Sequence, residues 1–210
     1  MLFLEQRITA DVVLAIWKIV ETEDELLALF PTYGELFRRE IDEYRSLVRR
    51  LEFLSVRALL VHLLGDENNV FHDEDGRPSL LDRSLNISIS HTKGYAAVVL
   101  GRNRVVGVDI EQKRDKIFRV KHKFLSEKEL GNIDMENELD SLLLHWCAKE
   151  TVYKMADKLL PEFSEEIAID PFSVGHSSTG SFIAREVVSG IEYKMSYQLF
   201  PEFVMTYSFV

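Results

Sequence analysis

The first strong pattern along the chain is a run of β-branched and aromatic residues, Val12-Val13-Leu14-Ala15-Ile16-Trp17-Lys18-Ile19, which predicts strands over the first twenty residues. Thr22, followed three positions on by Glu25, has the form of a capping box, and predicts a short acidic helix ending before Pro31 and Gly34. Leu47, Leu51, Leu54 and Ala58 recur at helical spacing, as do Phe53, Val56 and Leu60, and predict one long helix over 35–64. Residues 72–78 read as a loop. Asn86 to Ser90 alternates and Tyr95 to Leu100 is apolar, which predicts a hairpin with His91-Thr92-Lys93-Gly94 in its turn. Asn103 marks a turn before a strand over 105–111. Ser126-Glu127-Lys128-Glu129 is a second capping box, and a second long helix is expected over 138–158, stopping before Pro161. Apolar runs over 182–188, 191–199 and 203–209, broken by Ser189-Gly190 and Pro201, predict an antiparallel meander. The order is strands, long helix, hairpin, strand, long helix, strands. It predicts an α+β fold of two similar halves, 1–101 and 102–210, each an antiparallel sheet with a long helix.

Charge narrows the choice of function. With 25 Lys+Arg against 35 Asp+Glu the formal charge is -10, which argues against a general nucleic-acid binder, since that needs a basic face. The single cysteine, Cys147, excludes an internal disulfide. Glu5 and Arg7 interrupt the apolar start, and no apolar stretch approaches a membrane span, so a cytoplasmic setting with no membrane partner is expected. Against the acidic background, Arg38, Arg39, Arg45, Arg49, Arg50 and Arg57 crowd into one predicted helix.

Three stretches could carry chemistry. In Gly107-Val108-Asp109-Ile110-Glu111 the two acids share one face of a strand and repel each other unless a cation or a proton intervenes. In Trp146-Cys147-Ala148-Lys149-Glu150-Thr151-Val152-Tyr153-Lys154, Trp146, Glu150 and Lys154 fall on one helical stripe. In Asn86 to Lys93, Ser90, His91, Thr92 and Lys93 offer donors to a phosphate. Each stretch alone also has a plain structural reading: a solvated acidic strand face, an i,i+4 ion pair with core aromatics and a solvated Lys149, and a surface histidine. Read together, Asp109, Glu111 and Glu150 make a three-carboxylate magnesium site with Lys154 one turn beyond, the equipment of phosphoryl transfer.

Those motifs, with Phe124-Leu125-Ser126-x-x-Glu129 between them and Gly76-Arg77-Pro78 upstream, resemble the 4'-phosphopantetheinyl transferase superfamily, and the length fits its larger single-chain, surfactin-synthetase class. The resemblance implies an active site between two α+β halves and transfer of the 4'-phosphopantetheine arm of coenzyme A to a serine of an apo acyl or peptidyl carrier protein, releasing adenosine 3',5'-bisphosphate. It implies Asp109, Glu111 and Glu150 as ligands of magnesium (manganese being a possible substitute), Lys154 beside the pyrophosphate, Ser90 and His91 on the 3'-phosphate, and Arg77 beside the phosphates. Glu150 is the candidate proton acceptor. Arg49, Arg50 and Arg57 are unranked candidates for further coenzyme A contacts. Cys147 and Thr151 depart from the family's usual serine or threonine and small residue. A monomer is expected. The competing readings are a magnesium-dependent nuclease or phosphohydrolase, and a non-catalytic module that binds carrier proteins.

Overall fold

A computed structural model describes the chain apart from residues 66, 68–69, 74–75, 82–83, 157–159 and 161. Lys158 and Pro161, expected near the end of the second long helix, lie outside the described residues, as do Glu74 and Asp75 of the expected loop. The chain divides into two units, Met1–Arg104 and Val105–Val210.

The first unit opens with β1 (Leu2–Arg7) and β2 (Val12–Lys18), then α1 (Glu23–Leu27), α2 (Gly34–Asp42), α3 (Leu47–Leu64), β3 (Val70–His72), β4 (Pro78–Leu80), β5 (Asn86–Thr92) and β6 (Tyr95–Gly101). The strands β1, β2, β6 and β5 form a four-stranded antiparallel sheet in that order, and β3 pairs with β4 in a separate two-stranded ribbon. The 18-residue α3 packs on β6 and β2 and buries Val56, Leu59 and Leu60 against Ala15, Ala96, Val98 and Leu100. Thr22 caps α1 as its sequence implies: its hydroxyl accepts from the Glu25 amide, and the Glu25 carboxylate accepts from the Thr22 amide at 2.8 Å.

Two local expectations are corrected. The helix expected over 35–64 is two helices, broken at 43–46. Ser46 has the extended backbone of a helix N-cap (ψ 124°), and Arg50 Nε donates back to the Tyr44 carbonyl at 2.8 Å. The break lets α2 fold onto α3, so that Phe37 and Ile41 meet Leu54 and Ala58 in one apolar cluster with Leu26 and Phe30. No glycine or proline marks the interruption, so periodicity alone runs straight through it. The hairpin turn is also shorter than expected. Only Lys93-Gly94 separate β5 from β6, with Gly94 at φ 81°, and His91 lies within β5 opposite Ala96.

The second unit runs β7 (Val106–Gln112), α4 (Lys116–Val120), a 3-10 turn (Lys121–Lys123), α5 (Glu127–Leu130), a second 3-10 turn (Met135–Asn137), α6 (Glu138–Met155), α7 (Phe163–Glu166), β8 (Ile167–Ile169), β9 (Thr179–Glu186), β10 (Glu192–Leu199) and β11 (Phe203–Phe209). Its sheet is antiparallel, ordered β7-β11-β10-β9-β8. The 18-residue α6 packs along β7 and β11, and its Leu142, Leu144, Ala148 and Val152 belong to the core that also holds Met195 and Val204. The architecture of each unit is therefore the expected one: α+β, an antiparallel sheet with a long helix. Among the described residues, no helix is long and apolar enough to cross a membrane.

Candidate active site

The site begins with a close approach of backbone to helix. A Cβ at Gly107 would stand 2.5 Å from Met155 Cγ and 2.9 Å from the Thr151 carbonyl oxygen, so only glycine lets β7 lie this near α6. By the period of a strand, Asp109 and Glu111 share Gly107's face, toward α6, while Val108 and Ile110 are buried on the other. The helix is locked in place by buried contacts. Thr151 Oγ1 lies 2.8 Å from Thr206 Oγ1 on β11, and the Cys147 thiol donates to the Asp109 carbonyl at 3.0 Å. Cys147 and Thr151, the two departures from the family pattern, thus serve the packing. Burial and the nearby Asp109 charge push the Cys147 thiol well above its ordinary pKa, so it is no nucleophile.

Along this contact the stripe of α6 meets the two acids of β7. Trp146 Nε1 donates to Glu111 Oε1 at 2.7 Å. One helical turn on stands Glu150, and one further, Lys154, whose Nζ lies 2.7 Å from Asp109 Oδ1 and 3.1 Å from the Val108 carbonyl. Asp109 is only 5% exposed. The electrostatics follow from this crowding. Burial, then repulsion from Asp109, pushes Glu111 up to about 7; burial, then repulsion from Asp109 and Glu111, against attraction to Lys154, pushes Glu150 up to about 7. All four of the charged residues that the sequence singled out in this half are thus brought together.

Lys154 is the cation paired with this trio of carboxylates, with Arg114 acting on Glu111 more weakly, and the surplus negative charge suits a hard divalent ion. Carboxylate oxygens are the donors that magnesium or manganese takes, so the residues fit such an ion in kind. Among the described residues, no three His, Cys, Asp or Glu side chains are gathered into a ready coordination shell, and Lys154 fills the cation's role beside Asp109.

Lys149, for which solvation was the plain reading, is fully buried. Its ammonium donates to Glu129 Oε2 at 2.9 Å and to the carbonyls of Phe163 and Ile167 at 2.9 and 2.6 Å. Glu129 also accepts from Ser126 N, Ser126 Oγ and the Ile169 amide. The capping box of α5 and the lysine of α6 are thus one network. Their recurrence in the Ser-x-x-Glu and Trp-x-x-Lys motifs was the available signal, but nothing in the sequence showed that they touch.

In the first unit, His91 faces α3. Arg49 Nη1 lies 2.8 Å from His91 Nε2, Arg49 also pairs with Glu52 Oε2 at 3.2 Å, and His91 Nδ1 is 3.3 Å from the same oxygen. These residues, with Tyr44, Phe53, Ile89 and Arg57, line a cavity of about 120 Å³. Arg57 is buried, stacks 3.8 Å from the Phe53 ring centre, and is drawn down to a pKa of about 10 by that burial. Ser90, one residue along β5, is buried on the opposite face of the strand from His91 and does not line this cavity. Arg77 precedes β4, and its amide donates to Asp73 Oδ1 at 2.8 Å.

Two curated relatives match in part. The "Putative 4'-phosphopantetheinyl transferase" of Haemophilus influenzae is 32% identical over 95 residues, covering 41% of this chain and 40% of that protein. A Synechocystis sp. protein described in the same words is 25% identical over 133 residues, covering 60% of this chain and 54% of its own length. The matches therefore span about half or less of these relatives. Residues 105–208, which contain the three carboxylates and Lys154, match the model of the 4'-phosphopantetheinyl transferase superfamily.

Proposed function

We propose that this protein is a 4'-phosphopantetheinyl transferase of the larger single-chain class, moving the phosphopantetheine arm of coenzyme A onto a serine of an apo acyl or peptidyl carrier protein. The observation that carries the reading is the surplus of negative charge on the α6 face of β7, in a segment matched to that superfamily. Asp109, Glu111 and Glu150 would hold a magnesium ion, which when bound supplies a positive centre for the pyrophosphate oxygens.

The serine oxygen of the carrier attacks the phosphorus that bears pantetheine. The bond from that phosphorus to the oxygen of the adenosine 5'-phosphate breaks, and adenosine 3',5'-bisphosphate leaves with the electron pair. Glu150 is the candidate to accept the serine proton, through a carboxylate oxygen that magnesium would leave free. Trp146 holds Glu111 through its indole N–H. Lys154 adds positive charge against the phosphates. Arg77 and His91 belong to the phosphate contacts in this reading, whereas Ser90, on the other face of β5, does not reach the cavity that His91 lines.

The test is an incubation with coenzyme A, magnesium and a panel of apo carrier proteins, read by intact mass. A gain of one phosphopantetheine arm on the carrier is expected, and its loss in Glu111→Ala. Hydrolysis of phosphodiesters with no carrier modified would replace this reading with the phosphohydrolase one.

A further inference from the structure

The cavity between α3 and β5 poses a problem in charge. If it receives the 3'-phosphate of coenzyme A, the carboxylate of Glu52, with a side chain only 9% exposed, sits beside a bound dianion. A buried carboxylate next to an anion site opposes binding unless it does something else there.

Its contacts indicate what that is. A guanidinium has no acceptor, so Arg49 Nη1 at 2.8 Å from His91 Nε2 requires that nitrogen to carry the lone pair. The ring proton of neutral His91 is therefore on Nδ1, which faces Glu52 Oε2 at 3.3 Å. The same oxygen holds Arg49 at 3.2 Å. Glu52 thus fixes both the tautomer of His91 and the reach of Arg49, while His91 itself braces Arg49 rather than presenting a free donor. Arg57, buried at the cavity with no partner for its Nε among the described residues, supplies a second positive charge.

We propose that Glu52 is a positioning residue for an anion site in the first unit: through His91 and directly it orders Arg49 toward a phosphate monoester, with the guanidiniums of Arg49 and Arg57 as the charges that meet it. The ligand identity rests on the coenzyme A reading above; the positioning role does not.

The two ideas separate in experiment. In Glu52→Gln, simple removal of a negative charge would tighten binding of coenzyme A. Loss of positioning does the reverse, and lowers the preference for coenzyme A over 3'-dephospho-coenzyme A by roughly 10-fold, the worth of one charge-assisted hydrogen bond, while the affinity for the dephospho form stays within twofold. In parallel, the ¹⁵N shifts of His91 should show the Nδ1–H tautomer in the wild-type protein and a mixed tautomer in Glu52→Ala, with the thermal midpoint of Glu52→Gln confirming the fold. An unchanged His91 tautomer in Glu52→Ala, or tighter coenzyme A binding in Glu52→Gln, overturns the proposal. If the tautomer shifts but the wild-type protein makes no distinction between the two coenzymes, Glu52 still positions and the coenzyme A assignment is what falls.

Discussion

Two lysines of α6, five positions apart, have opposite surroundings. Lys149 is fully buried and saturated: three acceptors take its three ammonium protons, and its partner Glu129 is in turn bound by an amide, a hydroxyl and a second amide. Lys154 is partly exposed and outnumbered. It pairs with Asp109, yet Glu111 and Glu150 beside it are still pushed up to about 7. A closed network of this kind holds a fold. A cluster with charge left over is organised for something absent from the chain itself, since folding alone gains nothing from three carboxylates around one lysine.

The largest expected effect breaks the first network. Lys149→Met leaves Glu129 buried and deprives it of its counter-charge, and should cost about 3–5 kcal/mol of stability. Urea denaturation would measure it. Lys154→Met also strips a counter-charge from a buried carboxylate, Asp109, but its lysine is partly exposed, so it should cost less than Lys149→Met, while abolishing the proposed transfer. Adding Glu129→Leu to Lys149→Met should recover part of the loss, because the orphaned carboxylate is then gone. Equal destabilisation by the two lysine substitutions would erase the distinction between the regions.

The second effect is one of pH. Glu111 and Glu150 have folded-state pKa values raised to about 7 from an ordinary 4.5. Such groups favour the folded state fully below the unfolded value and lose that contribution as pH rises through the folded one. The metal-free protein should therefore lose stability between about pH 4.5 and 7, and Glu150→Gln should be the more stable form at pH 8 by about 2 kcal/mol. Magnesium should raise the thermal midpoint of the wild-type protein at that pH and have little effect on Glu150→Gln. A flat profile for the wild type would mean that the three acids do not repel.

Another titratable group, His145 of α6, gives a smaller slope of opposite sign. His145 is buried, stacked on Phe172, with its Nδ1 2.8 Å from the Ser141 carbonyl, and burial holds its pKa below the ordinary 6.5. It stays neutral where the unfolded chain takes up a proton, so its contribution is intact above pH 6.5 and is lost as pH falls below that. His145→Phe should remove about 1 kcal/mol of acid destabilisation between pH 6.5 and 5. Guanidinium melts at the two pH values would show it, and a slope unchanged by the substitution would place the acid sensitivity elsewhere.

Much of this was legible in the sequence for definable reasons. The acids of β7 and the stripe of α6 repeat at the periods of a strand and a helix, so their shared faces follow from spacing. The α+β order follows from the runs of apolar residues. The Lys149–Glu129 pair did not follow, because a contact between residues twenty apart depends on how α5 docks against α6, and a lysine in a helix looks the same solvated or buried. The break at 43–46 was hidden because its signal is a serine at the N-cap and an arginine that reaches back six residues to the Tyr44 carbonyl, with neither proline nor glycine. His91 was placed in a turn because the two-residue Lys93-Gly94 turn is short enough to leave it in the strand.

The smallest expected effect concerns the segment after β7, where Lys113, Arg114, Lys116, Arg119, Lys121 and Lys123 lie among Ile117, Phe118, Val120 and Phe124. By composition this is a basic, apolar segment of the kind that could meet an acidic carrier protein. Its apolar residues belong instead to the unit's own core: Ile117 and Phe124 are buried within it, and Phe118 and Val120 pack against it. Lys113 and Lys121 are engaged with Asp140 and Glu138 of α6. What is left facing solvent is Arg114, Lys116, Arg119 and Lys123. Phe118→Ala is therefore a stability variant and a poor probe of docking, whereas Lys116 and Arg119 can be reversed to Glu without touching the core. With this chain at -10, long-range attraction could not steer encounter with an acidic carrier, so a local basic rim would act only at short range. In the proposed reaction, the double reversal should lower kcat/KM for carrier about threefold to tenfold, weaken its salt dependence and leave the KM for coenzyme A unchanged. An equal rise in both KM values would indicate damage spreading to the carboxylate site, and no change in either would put the carrier on another face of the protein.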